Sequence, residues 1–136
     1  MPNDVRELIR AALHGRADEI VRLLDLGVPI DAQADGQNPL HAAIGNEQIE
    51  CIHLLVSKGA DVNYAIDGWS PLAYAVDIAI DGTIQRGGDQ YDEPVETIRY
   101  LLSVGADPSP GLDVAKSYGS KKLVALLEAA KERYMV

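Results

Sequence analysis

The sequence contains no phenylalanine, one tryptophan and one cysteine, and aromatic residues make up only 5% of its 136 positions. The single cysteine excludes an internal disulfide bond and a zinc site built from cysteines. Because aromatic side chains are scarce while apolar residues still amount to 47%, the core must be built from leucine, isoleucine, valine and alanine. This composition, with 24% charged residues, is typical of one folded domain.

Long apolar runs and positive charge are also lacking. No run of 18 apolar residues occurs, and the first residues lack the basic and apolar regions of a signal peptide, so we expect no membrane contact and a cytoplasmic location. The 12 lysine and arginine residues are outnumbered by 21 acidic ones, which gives a net charge of −9. We therefore expect no nucleic-acid partner, because binding to phosphates depends on clustered basic side chains.

Two sequence markers recur with the same spacing. A Leu-Leu pair leads to a glycine at Gly27, Gly59 and Gly105, and the first two of these glycines are 32 residues apart. Pro39 and Pro71, each followed by leucine and an alanine-containing stretch, are also 32 residues apart. The step from Gly59 to Gly105 is 46 residues, which is 14 more than the step before it. The markers predict structural repeats with an insertion in the third.

Each repeat carries the start and stop signals of two helices. Asn38 and Ser70 are capping residues placed directly before the prolines, and proline is well tolerated at the first position of a helix. Gly59 ends the second helix, since glycine adopts the left-handed conformation without strain. The second helix has apolar residues at helical spacing, namely Ile49, Ile52, Leu55 and Val56 in one repeat and Val95, Ile98, Leu101 and Leu102 in another.

These residues resemble the ankyrin-repeat family. Its pattern T-P-L-H-x-A is similar to Asn38-Pro39-Leu40-His41-Ala42-Ala43 and, more loosely, to residues 70–75, and its pattern L-L-x-x-G-A-D-V-N is matched at residues 54–63. The resemblance implies an all-α ankyrin-repeat solenoid of about four helix-turn-helix units with short β-hairpin tips. The expected units of a single domain over residues 1–136 are about 2–30, 31–63, 64–107 and 108–136.

Some positions depart from the family pattern. Glu47 stands where the family prefers a glycine between the two helices, so the turn there need not be left-handed. Gly15 and Gly119 hold the same position in the first and last units. The short connection after Gly105 predicts that the last unit lacks a hairpin and is a closing helix pair at residues 112–118 and 121–133.

The resemblance also implies where a partner would bind, because ankyrin repeats use the hairpin tips and the exposed concave side of the first helices. The corresponding positions are the tip residues Asp35, Gln37, Asp67 and Trp69 and the first-helix residues His14, Asn46 and Asp77. Trp69 is the strongest of these candidates, because tryptophan is enriched among the residues that carry binding energy. Packing of Trp69 against the adjacent hairpin is the alternative.

The insertion at about residues 80–93 is the second candidate surface. Its Gly87-Gly88 pair predicts a loop, and its candidate contact residues are Arg86, Asp89 and Tyr91. Residues 77–96 contain six acidic residues and one basic residue, whereas residues 97–136 contain four acidic and six basic ones. The negative charge around the insertion predicts a partner with a basic surface.

Catalytic chemistry has little support in the sequence. Zinc-protease, nucleophile-elbow and P-loop patterns are absent. Cys51 and His53 point to different faces of a helix and cannot share a metal. We expect no catalytic residue, cofactor or metal, and the acidic residues of 77–96 leave a carboxylate-based enzyme as the alternative of another class.

The resemblance thus implies a non-enzymatic module, monomeric when free, that binds another protein. Similar stand-alone bacterial ankyrin proteins include immunity proteins that neutralise a toxin enzyme, and an acidic surface suits a basic toxin. An adaptor or assembly factor that bridges two proteins is the alternative. It would use the acidic insertion and the more basic final unit as its two surfaces.

Overall fold

The computed structural model describes residues 2–85 and 94–134. These residues form eight α-helices and no β-sheet, which confirms the predicted all-α repeat fold. The helices are α1 (Pro2–Leu13), α2 (Ala17–Asp25), α3 (Pro39–Gly45), α4 (Ile49–Ser57), α5 (Pro71–Gln85), α6 (Glu96–Ser103), α7 (Pro108–Tyr118) and α8 (Lys121–Tyr134). The residues group into two compact units, Met1–Asp67 and Gly68–Val136, each with four helices. The single domain over residues 1–136 stays a prediction.

The first unit has the aliphatic core that the composition predicts. Helix α1 packs against α2 and α3, and α3 packs against α4. The second helix of the repeat, α4, buries Ile52 and Leu55 and leaves Ile49 and Val56 half-buried, as its apolar spacing predicts. The largest fully buried side chains of this unit are Leu8, Ile20, Leu23, Leu40, Ile44, Ile52 and Leu55.

The second unit is built in the same way around α5 and α7. Helix α5 packs against α6 and α7, and α7 packs against α8. A Cβ atom at Gly111 of α7 would lie 3.1 Å from Cγ of Leu72 and 3.2 Å from Cγ2 of Val76. The missing side chain therefore lets α7 approach α5 closely. The largest fully buried side chains of this unit are Leu72, Ile98, Leu101, Leu123 and Leu127.

Side chains cap the helices where the sequence predicts them. The Asn38 Oδ1 atom accepts hydrogen bonds from the backbone N–H of His41 at 2.9 Å and from its ring Nδ1 at 3.0 Å. Ser70 Oγ accepts the backbone N–H of Ala73 at 3.1 Å. Both capping residues are buried. Each therefore satisfies a backbone donor that the first turn of a helix leaves without a partner.

The closing helix pair begins earlier than the sequence predicts. Helix α7 starts at Pro108 rather than at residue 112, because the Asp107 side chain accepts the Ser109 N–H at 3.0 Å and proline occupies the first helical position. Only four residues separate Ser103, the end of α6, from Pro108. The prediction that the last repeat, at residues 108–136, lacks a hairpin is therefore confirmed.

The first hairpin tip is reduced to a single antiparallel bridge between Ala34 and Gln37. The Ala34 N–H donates to the Gln37 carbonyl at 2.9 Å, and the Gln37 N–H donates to the Ala34 carbonyl at 3.1 Å. Asp35 and Gly36 between them have φ angles of 55° and 77°. Two positive φ angles in succession are what a two-residue hairpin turn requires.

The sequence leaves the handedness of the turn at Glu47 open, and the structure shows it. This residue has a φ angle of 53°, so the turn between α3 and α4 is left-handed although no glycine is present. The cause is the hydrogen bonding at the end of α3, where the Glu47 N–H donates to the Ile44 carbonyl at 3.0 Å and the Gln48 N–H to the Ala43 carbonyl at 2.9 Å. This pair of bonds forms only when the residue after the helix is left-handed.

The insertion begins as a helix rather than as a loop. Helix α5 continues to Gln85, so residues 81–85 of the insertion are helical. Thr83 is buried in this extension, and its Oγ1 donates to the Ala79 carbonyl at 2.7 Å. The predicted Gly87-Gly88 break lies outside the described residues.

The left-handed turn at Glu47 yields a stability prediction. A residue with a side chain loses about 1–2 kcal/mol of stability in the left-handed conformation, and glycine avoids this cost. Glycine in turn loses about 0.5–1 kcal/mol because more backbone entropy is lost when it folds. We expect Glu47→Gly to raise the free energy of unfolding by about 0.5–1 kcal/mol, measured by urea denaturation followed by circular dichroism.

The matched control is Glu50→Gly, an exposed position in the first turn of α4. Glycine inside a helix is unfavourable, so this variant is expected to lose about 1 kcal/mol. Equal destabilisation by both substitutions would show that the turn at Glu47 carries no strain.

Candidate protein-binding surface

Three of the predicted contact residues, His14, Asp35 and Gln37, line one groove in the first unit. His14 follows the last residue of α1, and the other two belong to the first hairpin tip. The groove has a volume of about 170 Å³ and is walled on its other side by α1, including Arg6 and Arg10. The fold thus brings the end of a first helix and a hairpin tip together, as the family resemblance implies.

Arg6 and Arg10 give this groove a cationic side, and neither was predicted from the sequence as a contact residue. The two arginines are four residues apart on α1 and therefore share one face of the helix. Their spacing was the signal that could have revealed them. Because the groove also contains only one carboxylate, that of Asp35, it is not itself acidic.

An ion pair fastens the tip to α1. Arg6 Nε donates to Asp35 Oδ2 at 3.1 Å and its Nη2 to Oδ1 at 3.4 Å, which raises the pKa of the Arg6 guanidinium. Both side chains are more than half exposed, at 53% and 69%. Solvent screens such a pair, so it adds little to stability. Its effect is to orient the Asp35 carboxylate towards Arg6 of α1.

Asn46 has a structural partner of its own. Its Nδ2 donates to the Leu13 carbonyl at 2.9 Å, and Gln48 Nε2 donates to the same oxygen at 3.1 Å. These side chains thereby satisfy a carbonyl at the end of α1. Asn46 is exposed, and its contact with a partner protein stays a prediction.

Further hydrogen bonds join successive repeats of the first unit. The Asp61 N–H donates to the Asp31 carboxylate at 3.2 and 3.3 Å, across a separation of 30 residues. Gln33 Nε2 donates to the Tyr64 hydroxyl at 2.9 Å, across 31 residues. These separations match the 32-residue spacing of the sequence markers.

Trp69 is 40% exposed and lies one residue before the buried cap Ser70. The hydrogen bond of this cap fixes the backbone at the start of α5, directly after Trp69. Asp67 is exposed and has a left-handed φ angle of 52°. Both residues thus have surface that a partner protein could contact.

Asp77 is half-buried on α5 and accepts a hydrogen bond from the Tyr118 hydroxyl of α7 at 2.7 Å. This hydrogen bond and the neighbouring negative charge raise the pKa of Tyr118 from 10.0 to about 12. Asp77 therefore links two helices of the second unit. The other predicted contact residues, Arg86, Asp89 and Tyr91, lie outside the described residues.

A comparison with protein-family models decides the family. The model for ankyrin repeats, with three copies, matches residues 8–111. This chain belongs to the ankyrin-repeat family. Ankyrin repeats are protein–protein interaction modules, and the family is generally non-enzymatic.

Curated ankyrin-repeat relatives are similar over part of their length. An ankyrin repeat-containing protein of Schizosaccharomyces pombe is 36% identical over 46% of this chain and 31% of its own length. Protein PhlB of Serratia liquefaciens is 39% identical over 48% of the chain and 30% of its own length. The mouse nuclear factor NF-kappa-B p105 subunit is 33% identical over 71% of the chain and 10% of its own length. The chain thus spans less than a third of each of these relatives.

The single cysteine of this ankyrin-repeat chain lies in the core of the first unit. Cys51 is buried, and burial raises the pKa of its thiol, which keeps it protonated. Cys51 is therefore a packing residue of the first unit. Within residues 2–85 and 94–134, no cluster of three histidine, cysteine or acidic side chains has the arrangement of a metal site. None of the helices described is both long and apolar enough to cross a membrane.

The Asp77–Tyr118 contact yields a titration prediction. We expect the Tyr118 phenol to ionise at a pH of about 12, measured as the difference in phenolate absorbance between the wild type and Tyr118→Phe. Since the pKa is raised by folding, the stabilisation is present below pH 10.0 and is lost as the pH rises through about 12.

Asp77→Ala removes the acceptor and its charge, so the Tyr118 pKa should fall towards 10.0. Asp113→Ala removes an exposed carboxylate from the same helix as Tyr118 and should leave that pKa unchanged. An unchanged titration in Asp77→Ala would contradict the contact.

Proposed function

We propose that this ankyrin-repeat chain is a non-enzymatic module that binds a partner protein through its hairpin tips, the groove beside α1 and the acidic insertion. The observation that carries the proposal is the 40% exposure of Trp69, a large apolar side chain next to a rigid helix cap. Tryptophan buried at the centre of an interface is a frequent hot spot of binding energy.

The division between structural and exposed residues supports this choice of surface. The repeat pattern is used for packing, with Leu40, Ala42 and Ile44 of α3 all buried. Asp35 and Asp67 at the tips remain exposed. In a solenoid, residues outside the packing pattern are the ones left for binding.

The proposed partner is a protein with a basic surface. The net charge of −9 and the acidic residues of 77–96 favour such a partner and would speed its association at low salt. The cationic groove beside α1 would meet a different, acidic part of the same partner. We further propose that the chain is cytoplasmic, monomeric when free, and has neither nucleic acid nor membrane as a partner.

In its most specific form, the proposal is a bacterial immunity protein that inhibits a toxin enzyme by covering its basic site. The acidic charge supports it, together with the protein-binding fold. Co-expression with a candidate toxin tests each pairing, with catalytically dead toxin as the control for expression level. Continued killing at equal expression of both proteins would reject that pairing.

An adaptor that bridges two proteins is the second candidate function. It requires two surfaces of different character, and the charge distribution favours it: residues 77–96 have one basic residue among six acidic ones, whereas residues 97–136 have six basic and four acidic residues. A partner of the final unit would then differ in charge from a partner of the insertion.

The proposal predicts the effect of removing the Trp69 side chain. We expect Trp69→Ala to weaken partner binding by about 2 kcal/mol, or roughly thirtyfold, with an unchanged circular dichroism spectrum. The partner is first captured from a lysate of the native host on immobilised wild type, and its dissociation constant is then measured by calorimetry.

Leu26→Ala is the matched control, because Leu26 is a 69% exposed apolar residue at the end of α2 and does not belong to a hairpin tip. It should bind like the wild type. Equal binding by Trp69→Ala would remove Trp69 from the interface, and lost helicity in that variant would assign it to the scaffold instead.

A further inference from the structure

A groove lies in the second unit between α6 and α8, the second helices of its two helix pairs. It is distinct from the groove beside α1, which belongs to the first unit. Its volume of about 360 Å³ falls within the range of about 300–1,000 Å³ that is usual for ligand sites.

The floor of this groove is apolar. Ala106 and Ala130 are buried, and their short side chains leave a depression between the two helices. Leu102 of α6 and Leu126 of α8 border it and remain half-buried. A leucine-sized side chain placed there would remove from water the exposed parts of Leu102 and Leu126, which is favourable.

The rim of the groove is cationic. Arg99 of α6 and Arg133 of α8 are both exposed and line it from its two helices. Within the described part of the chain, the ion pairs belong to other residues, and neither of these guanidinium groups has a carboxylate partner. Tyr134, 50% exposed, adds an aromatic side chain beside them.

We propose that the α6–α8 groove binds a short acidic peptide segment of a partner protein, with a leucine on the apolar floor and carboxylates on Arg99 and Arg133. Guanidinium groups bind carboxylates with two parallel hydrogen bonds, which gives direction as well as charge. The local positive charge is opposite in sign to the net charge of −9. The site therefore selects a ligand that the net charge of the chain repels.

This inference goes beyond the proposed function and does not depend on it. The tip surface is tested with Trp69 variants, whereas this groove is formed by other residues and is tested with a synthetic peptide. Loss of one interaction in an experiment leaves the other measurable.

The probe is a short fluorescein-labelled peptide in which leucine alternates with glutamate, and the readout is fluorescence anisotropy with the full chain. We expect saturable binding that weakens with added salt and is absent for the same peptide with glutamine in place of glutamate. The double variant Arg99→Glu with Arg133→Glu should bind at least about tenfold more weakly.

The matched control is Lys116→Glu with Lys131→Glu, which makes the same change in net charge at exposed positions outside the groove. It should bind within about twofold of the wild type. Equal losses in both double variants would show a general charge effect and overturn the proposed site.

Two further experiments test other occupants of the groove, namely an acidic segment of this chain and a second copy of the chain. Peptide binding that tightens more after Asp89→Asn, Asp92→Asn and Glu93→Gln than after the same change of charge at the exposed residues Asp18, Glu47 and Glu50 would mean that an acidic segment of this chain itself competes for the groove, and would overturn a partner peptide as its ligand. A dimer by light scattering that dissociates in the arginine double variant would assign the groove to a second copy. A concentration-independent monomer with saturable peptide binding supports the proposal.

Discussion

Six helices of the described chain end with the same pair of backbone hydrogen bonds. The repeat fold depends on the sharp turn of the chain that these bonds produce. In α4, for example, the Gly59 N–H donates to the Val56 carbonyl and the Ala60 N–H to the Leu55 carbonyl, both at 3.0 Å. The same bonds end α1, α2, α3, α6 and α7. Each pair requires a left-handed residue, which turns the chain sharply at the end of the helix.

Side-chain bonds add the connection between successive repeats of the first unit. They join Leu13 to Asn46, Asp31 to Asp61 and Arg6 to Asp35, at separations of 33, 30 and 29 residues. Because these separations are close to one repeat, each bond joins one repeat of the first unit to the next. We expect the binding residues to be among the side chains that remain exposed after these bonds have formed. The exposure of the tip residues therefore supports the proposed binding surface more than their residue types do.

Local features of the fold could be predicted from sequence, whereas contacts across repeats could not. The caps at Asn38 and Ser70 follow from hydrogen bonding within one helical turn, so sequence spacing reveals them. The turn at Glu47 was missed because hydrogen bonds rather than residue type impose its conformation. The partners of Asn46 and Asp77 lie 33 and 41 residues away. Nothing local in the sequence indicates such partners.

The most direct measurement is amide hydrogen exchange of the chain alone and saturated with the partner that the wild type captures. If the tips and the groove beside α1 form the interface, exchange should slow at residues 33–38 and 66–70 and remain unchanged in α2 and α4. Protection confined to α2 and α4, with unaltered exchange at both tips, would contradict a partner bound through the tips.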